Sequence, residues 1–222
     1  MERNGPNTLF HSFPRLRRVQ FIDNCVPFDL SIASTPRLEE VDMGPCGFIR
    51  LDDTRCVKRL AFASDPPEDL MRGAYTNLTQ LSLTVPIRCT SSLEIPTVTY
   101  LEIHDVYGEP PALDLPSLPR LAHVSVESCR RIFYDTLPLE RYSTLRSLTA
   151  QYVHDAQTED FYLYKDDTLA SIPQFLLRCC AAIETLDLGF EFIEYGEVKK
   201  AVRQLLNIQR LLVEGKEVSL DG

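Results

Sequence analysis

Apolar residues recur along the chain at an unusual spacing of three and then two positions, as in Leu121, Val124 and Val126. An α-helix favours spacings of three and four, and a half-buried strand alternates at every second residue. The second and third residues of such a triplet therefore predict one side of a short strand. The first predicts an incoming turn whose side chain points into the same core.

Nine triplets of this kind follow one another. Their first residues are Leu16, Leu38, Val57, Leu78, Val98, Leu121, Leu145, Ile183 and Ile208. Consecutive starts lie 19 to 25 residues apart, except for a 38-residue interval after Leu145. Because each copy is one unit that must stack on its neighbours, the pattern predicts a single repetitive domain over residues 1–222, with residues 1–13 as a lead-in.

The triplets resemble the L-x-x-L-x-L pattern of leucine-rich-repeat proteins, whose period is roughly 20–29 residues. The resemblance implies an α/β fold, namely an irregular solenoid of about nine coils with a parallel β-sheet on its concave face. In this family the position three residues after the triplet is usually Asn or Cys. Only three copies follow this rule, with Asn24, Cys46 and Cys129. We therefore expect irregular coils.

The segments between copies change in character along the chain. The first six are short and rich in proline, which predicts extended segments or single helical turns. Two later segments predict helices: SIPQFLLRCC has Phe175 and Leu176 on one apolar face, and EVKKAVRQLL repeats Val198, Ala201 and Val202 at helical spacing. The long interval contains an insertion, residues 154–168, which we expect to project as a loop.

Composition narrows the function classes. The net charge of −9 over 222 residues argues against nucleic-acid binding, which usually needs a basic stripe. No apolar run approaches the roughly 18 residues of a membrane span. The first ten residues lack the apolar region of a signal peptide, and the seven cysteines show no Cys-x-x-Cys spacing. We therefore expect reduced thiols and a cytoplasmic or nuclear location.

Motifs of catalysis are missing from the sequence. It contains no Gly-x-x-x-x-Gly-Lys phosphate loop, no Gly-x-Ser-x-Gly elbow and no His-Glu-x-x-His metal motif. We expect a protein that is not an enzyme and holds no cofactor. The alternative is a hydrolase or transferase with a site near the 154–168 insertion, which would show a buried pocket with converging polar groups.

The residues between the apolar columns alternate onto the opposite face of the predicted sheet. In the middle copies this face is rich in aromatic, histidine and carboxylate side chains, and we expect a protein partner to bind there and on adjoining loops. The candidate partner-binding residues are Tyr100, Glu102, His104, His123, Ser125, Glu127, Thr149 and Gln151, with Arg130 and Tyr162 from the loops.

Two histidines beside two glutamates also raise a different hypothesis, a metal or acid–base site at His104, His123, Glu102 and Glu127. We favour the binding face, because an open sheet face is expected to supply little burial that could shift pKa values or exclude water.

Three stretches, TPRLEEVDM, LPRLAHVSV and LRCCAAIETLDL, resemble the repeat region of fungal F-box/leucine-rich-repeat proteins. In that family the repeats hold substrates for ubiquitination and a preceding F-box docks the ligase adaptor. We expect no F-box in this chain, because only residues 1–13 precede the first copy. The resemblance thus implies a non-enzymatic protein–protein interaction scaffold of the kind that recognises substrates for an F-box-type ubiquitin ligase.

Overall fold

The structure is a computed structural model, and it describes residues 14–20, 30–32, 36–44, 49–51, 54–63, 70, 73–85, 94–105, 115–127, 137–151, 173–178, 182–189 and 196–219. The lead-in 1–13, the insertion 154–168 and the loop residues Arg130 and Tyr162 lie outside this part of the chain, as do Asn24, Cys46 and Cys129.

The described residues form a mixed α/β fold dominated by one ten-stranded sheet. The described part of the chain contains twelve strands: β1 Arg18–Gln20, β2 Leu30–Ile32, β3 Glu40–Asp42, β4 Ile49–Leu51, β5 Arg59–Phe62, β6 Gln80–Val85, β7 Tyr100–Asp105, β8 His123–Glu127, β9 Ser147–Gln151, β10 Thr185–Leu188, β11 Arg210–Val213 and β12 Lys216–Val218. The large sheet has the order β1-β3-β5-β6-β7-β8-β9-β10-β11-β12. Its neighbours are parallel except for β12, which runs antiparallel to β11.

Each of the nine apolar triplets supplies one parallel strand of this sheet, so the strands predicted from the triplet spacing are confirmed. The register pairs equivalent positions of successive copies: Leu81 faces Leu101, which faces Val124, which faces Leu148. Copies that follow one another in sequence are therefore neighbours in the sheet.

The turns into the strands repeat the same hydrogen bonds. The N–H of Leu121 donates to the Leu118 carbonyl at 3.1 Å, which closes a turn with proline at its second position, where the fixed φ of proline suits a β-turn. Two successive N–H groups, Ala122 and His123, then share the Thr99 carbonyl of the preceding copy at 2.9 and 3.0 Å. This shared acceptor recurs at all eight steps between the nine parallel strands.

The hydrophobic core lies on one side of the sheet. The triplet side chains are buried in the middle copies, whereas Leu16, Val19 and Val213 are only partly buried, since the first and last copies each have a neighbouring copy on one side only. Two helical segments pack against the core on the side away from the sheet. They are α1, residues 173–178, which buries Phe175 and Leu176, and α2, Gly196–Gln204, which buries Val198, Ala201 and Val202. Both apolar faces match the prediction from helical spacing.

The early connecting segments are extended at β2 and β4, whereas Leu70, between β5 and β6, is helical. Strands β2 and β4 pair in parallel as a separate two-stranded sheet. Further along, a 3₁₀ helix, Leu139–Arg141, leads to Tyr142, whose buried hydroxyl donates to the Pro116 carbonyl at 2.7 Å. Burial raises the pKa of Tyr142 to about 12, so it stays a hydrogen-bond donor.

None of the helices in the described residues is long and apolar enough to cross a membrane.

Candidate functional site

The side of the sheet opposite the core carries a row of mostly small side chains across the middle strands. In register from β5 to β9 the row reads Ala61, Ser82, Glu102, Ser125, Thr149. Glu102 is the one large charged side chain of this row, and the small residues on both sides leave room around its carboxylate. We call Glu102 together with Arg59, His104 and Glu127, the charged side chains in contact around it, the charge cluster.

Arg59 enters the charge cluster from two strands away. It lies on β5, and its Nη2 donates to Oε2 of Glu102 on β7 at 3.1 Å. The guanidinium passes over β6, where the Ser82 hydroxyl also hydrogen-bonds Glu102. Arg59 is not among the partner-binding residues predicted from the sequence. The usable signal was its outward position two strands from Glu102, with the small Ser82 beside Glu102 on the strand between them.

His104 lies between two carboxylates. Its Nδ1 is 2.9 Å from Oε2 of Glu127 on the neighbouring strand, and its Nε2 is 3.7 Å from Oε2 of Glu102 on its own strand. An imidazolium donates from both nitrogens, whereas neutral imidazole has one N–H only. The arrangement therefore favours the charged form of His104.

The pKa values of the cluster shift accordingly. Hydrogen bonding with His104 lowers the pKa of Glu102 to about 2; burial opposes this shift, and the charges of His104 and Arg59 reinforce it. Contact with Glu102 raises the pKa of His104, with burial opposing and Glu127 adding to the rise. Glu127 is the carboxylate closer to His104, but Glu102 has the larger effect on the pKa of His104. The side chain of Glu102 is only 18% exposed against 29% for Glu127, so water screens its charge less.

The expectation that this face supplies too little burial to shift pKa values is wrong for Tyr100, whose pKa is raised by burial. The pKa shifts of Glu102 and His104 come from their mutual contact, and burial opposes them. Neighbouring side chains cover much of the face, and Ser82 and Ser125 are themselves buried. Burial here comes from long side chains lying across short ones rather than from a closed cavity.

Tyr100 and His123 form an aromatic pair beside the charge cluster. Their ring centroids are 6.5 Å apart and their planes are tilted by 32°. Burial raises the pKa of Tyr100, which hydrogen-bonds Ser125, so its hydroxyl remains neutral. His123 is exposed and pairs with no carboxylate among the described residues. Of the remaining candidates, Thr149 lies beside Ser125 and Gln151 beside Glu127 in the register of β8 and β9.

The structure thus brings together the candidates on β7, β8 and β9, and their chemistry differs from that of a metal centre. In the described part of the chain, no group of three or more His, Cys, Asp and Glu side chains is arranged to hold a metal ion. Both nitrogens of His104 face carboxylates, and a protonated imidazole has no lone pair for a metal.

The charge cluster is also poorly suited to proton transfer. An efficient general base has a pKa close to the working pH, whereas the pKa of Glu102 is about 2. The N–H groups of His104 already face Glu102 and Glu127. The arrangement fixes charges in place and leaves the outer edges of the side chains open to contact.

A pH-dependent contribution of His104 to stability follows. Because the pKa of His104 in the folded state is raised above 6.5, its charged contacts stabilise the fold fully below pH 6.5. This stabilisation is lost as the pH rises through the folded-state pKa of His104. The lowered pKa of Glu102 contributes stability above 4.5 that is lost as pH falls toward 2. In urea unfolding, the stability difference between the wild type and His104→Asn should be largest between pH 4.5 and 6.5 and should shrink at alkaline pH.

The matched control is His123→Asn, since that histidine lies on the same face without a carboxylate partner in the described residues. Its stability difference from the wild type should not follow the same course with pH. A difference for His104→Asn that stays constant from pH 5 to alkaline pH would contradict the ion pairs described above.

No protein-family model, curated protein or solved structure matches this chain. The resemblance to leucine-rich-repeat proteins stays a prediction from the repeat.

Proposed function

We propose that this protein is a leucine-rich-repeat solenoid that acts as a non-enzymatic protein–protein interaction scaffold. Nine parallel strands, one from each copy and stacked in chain order with a repeated pattern of turn hydrogen bonds, support this architecture. In such an array each unit is stabilised mainly by its two neighbours, and the sheet face remains available to a partner. The polar side of the sheet would then be the concave face.

The observation that carries the function is the fixed arrangement of large polar side chains on this face. The charge cluster holds Arg59, Glu102, His104 and Glu127 through mutual contacts, and Tyr100 and His123 pack beside it. Side chains that are already fixed lose little conformational entropy when a partner binds. Tyrosine and arginine are also enriched among the residues that dominate binding energies.

Binding accounts for this arrangement better than chemistry does. With His104 protonated, the charge cluster contains two cations and two carboxylates, so it presents a balanced pattern of charge. Such a pattern selects partners by electrostatic complementarity, which contributes specificity more than raw affinity.

The resemblance to fungal F-box/leucine-rich-repeat proteins suggests which kind of protein binds to this face. We propose that the bound protein is a substrate presented for ubiquitination, in the cytoplasm or nucleus. This step rests on the sequence phrases that carry the resemblance, whereas the binding face rests on the geometry of β5 to β9.

The binding face is tested by affinity purification with the double variant Tyr100→Ala/His123→Ala as bait. Quantitative mass spectrometry should show at least one protein enriched by the wild type and depleted about tenfold or more with the variant, as expected when two contact residues are removed. Far-UV circular dichroism and thermal unfolding should show that the variant keeps its fold.

The matched control is Lys199→Ala/Gln204→Ala, which removes two exposed side chains of α2, on the core side of the sheet. This bait should recover the same proteins as the wild type. If the face variant retains every partner of the wild type, or if both variants lose the same proteins, the assignment of the binding face is wrong.

A further inference from the structure

A second feature lies away from the polar face, at the edge of the sheet where the strands begin. We call the turns and strand approaches of the first three copies, residues 14–17, 36–39 and 55–58, the basic edge. It carries five cations, Arg15, Arg17, Arg37, Arg55 and Lys58, all exposed, against one carboxylate, Glu39.

The basic edge contains a groove. It runs across the turns of the second, third and fourth copies, from Pro36 and Arg37 past Arg55 and Cys56 to Thr79, which lies beyond the basic edge, and has a volume of about 460 Å³. Arg15 and Arg17 do not line it. Three cations, Arg37, Arg55 and Lys58, line the groove beside Glu39. Charge and shape therefore coincide at one place on the surface.

Part of this positive charge is not neutralised within the described residues. Arg15, Arg17 and Arg37 form no ion pair with any carboxylate there. Lys58 lies 3.5 Å from Glu39, but both side chains are largely exposed, and such surface pairs contribute little. A ligand carboxylate can therefore compete for these cations.

The charge is confined to this end of the sheet. The equivalent positions of the later copies, as far as the structure describes them, carry only Arg120, Arg146 and Glu184. The protein as a whole has a net charge of −9, so the basic edge is opposite in sign to the protein's overall charge. A local patch of this kind steers and orients a ligand of the opposite charge.

We infer that the groove of the basic edge binds an extended acidic peptide segment of a partner protein. Three stacked turns, spaced like their strands by about 4.8 Å, span about 10 Å, the length of roughly three extended residues. A short run of Glu or Asp therefore matches both the length and the charge of the groove. A nucleic acid fits less well, because a long polyanion would extend from the groove over a protein that is acidic elsewhere. This inference goes beyond the proposed function and does not depend on the polar face.

The test is fluorescence anisotropy with a labelled poly-glutamate peptide and the full chain. The wild type should bind the peptide at low salt and lose affinity as salt rises, since exposed charges are screened. The double charge reversal Arg37→Glu/Arg55→Glu should weaken binding by about tenfold or more. The control is Arg120→Glu, which reverses an exposed arginine at the same turn position as Arg37 but in the sixth copy. It should change the affinity by less than about twofold.

Three results would overturn the inference. The first is that the wild type fails to bind poly-glutamate at low salt. The second is that Arg120→Glu weakens binding as much as the groove variant does, which would indicate a diffuse charge effect. In the third, a labelled oligothymidylate binds more tightly than the peptide and loses affinity in the groove variant, which would assign the groove to nucleic acid. Circular dichroism of both variants confirms that any loss comes from the surface and not from unfolding.

Discussion

Replacing Leu101 by alanine is expected to lower the free energy of unfolding by about 2–5 kcal/mol, the range for truncating a buried leucine. Leu101 lies in the middle of the sheet, pairs with Leu81 and Val124 in register, and is 0% exposed. Neighbouring copies pack against Leu101 from both sides, so the surrounding residues cannot move in to fill the cavity that the substitution leaves. Urea unfolding followed by circular dichroism measures the loss.

The control for this prediction is Thr149→Ala, which shortens a side chain on the opposite face of the same sheet. It should stay within about 0.5 kcal/mol of the wild type, as is usual for a surface position. Comparable losses from Leu101→Ala and Thr149→Ala would mean that the inward and outward faces are assigned wrongly. The repeat pattern alone predicts that Glu102→Ala is an equally neutral control, but Glu102 pairs with Arg59 and His104, so that variant is unsuitable.

Phe175→Ala is expected to cost about 3–5 kcal/mol, the range for removing a buried aromatic side chain. Phe175 is 1% exposed and belongs to the main core although it comes from α1, outside the sheet. The late connecting segments thus contribute directly to the core that the strands share. The loss should appear as a lower urea midpoint with an unchanged slope, since a cavity alters stability without altering the surface exposed on unfolding.

The same helical segment supplies the comparison. Leu177 is 40% exposed, two residues from Phe175, and Leu177→Ala should cost less than about 1 kcal/mol. If the two variants destabilise the protein equally, α1 does not pack through the face that contains Phe175 and Leu176.

The repeat spacing was sufficient to predict the strands and the core. The alternation of Leu101 and Ile103 with Tyr100 and Glu102 defines the two faces of β7, because side chains in a strand point alternately to opposite sides. The helical spacing of Val198, Ala201 and Val202 likewise predicts the buried face of α2. These are local patterns, and stacking equivalent units preserves them.

Side-chain contacts between copies could not be predicted from the sequence pattern. The Arg59–Glu102 pair depends on the length of the arginine side chain and on the smallness of Ser82 on the strand between them, so it appears only when the strand register is known. The burial of Ser82 and Ser125 follows from the same crossing side chains, and the pKa shifts of Glu102 and His104 follow from contacts between charged groups that burial opposes. The pairing of β2 with β4 and the antiparallel return of β12 have no counterpart in the triplet pattern.

The central claim, that the polar face of the sheet holds a protein partner, is tested most directly by site-specific photo-crosslinking in cells of the source organism. A photo-reactive phenylalanine analogue at position 100 replaces Tyr100 with a similar ring on the face, and the same analogue at position 199 probes the exposed side of α2. The account predicts a discrete crosslinked partner from position 100 that is not captured from position 199. Crosslinks from position 199 alone, or the same products from both positions, would contradict it.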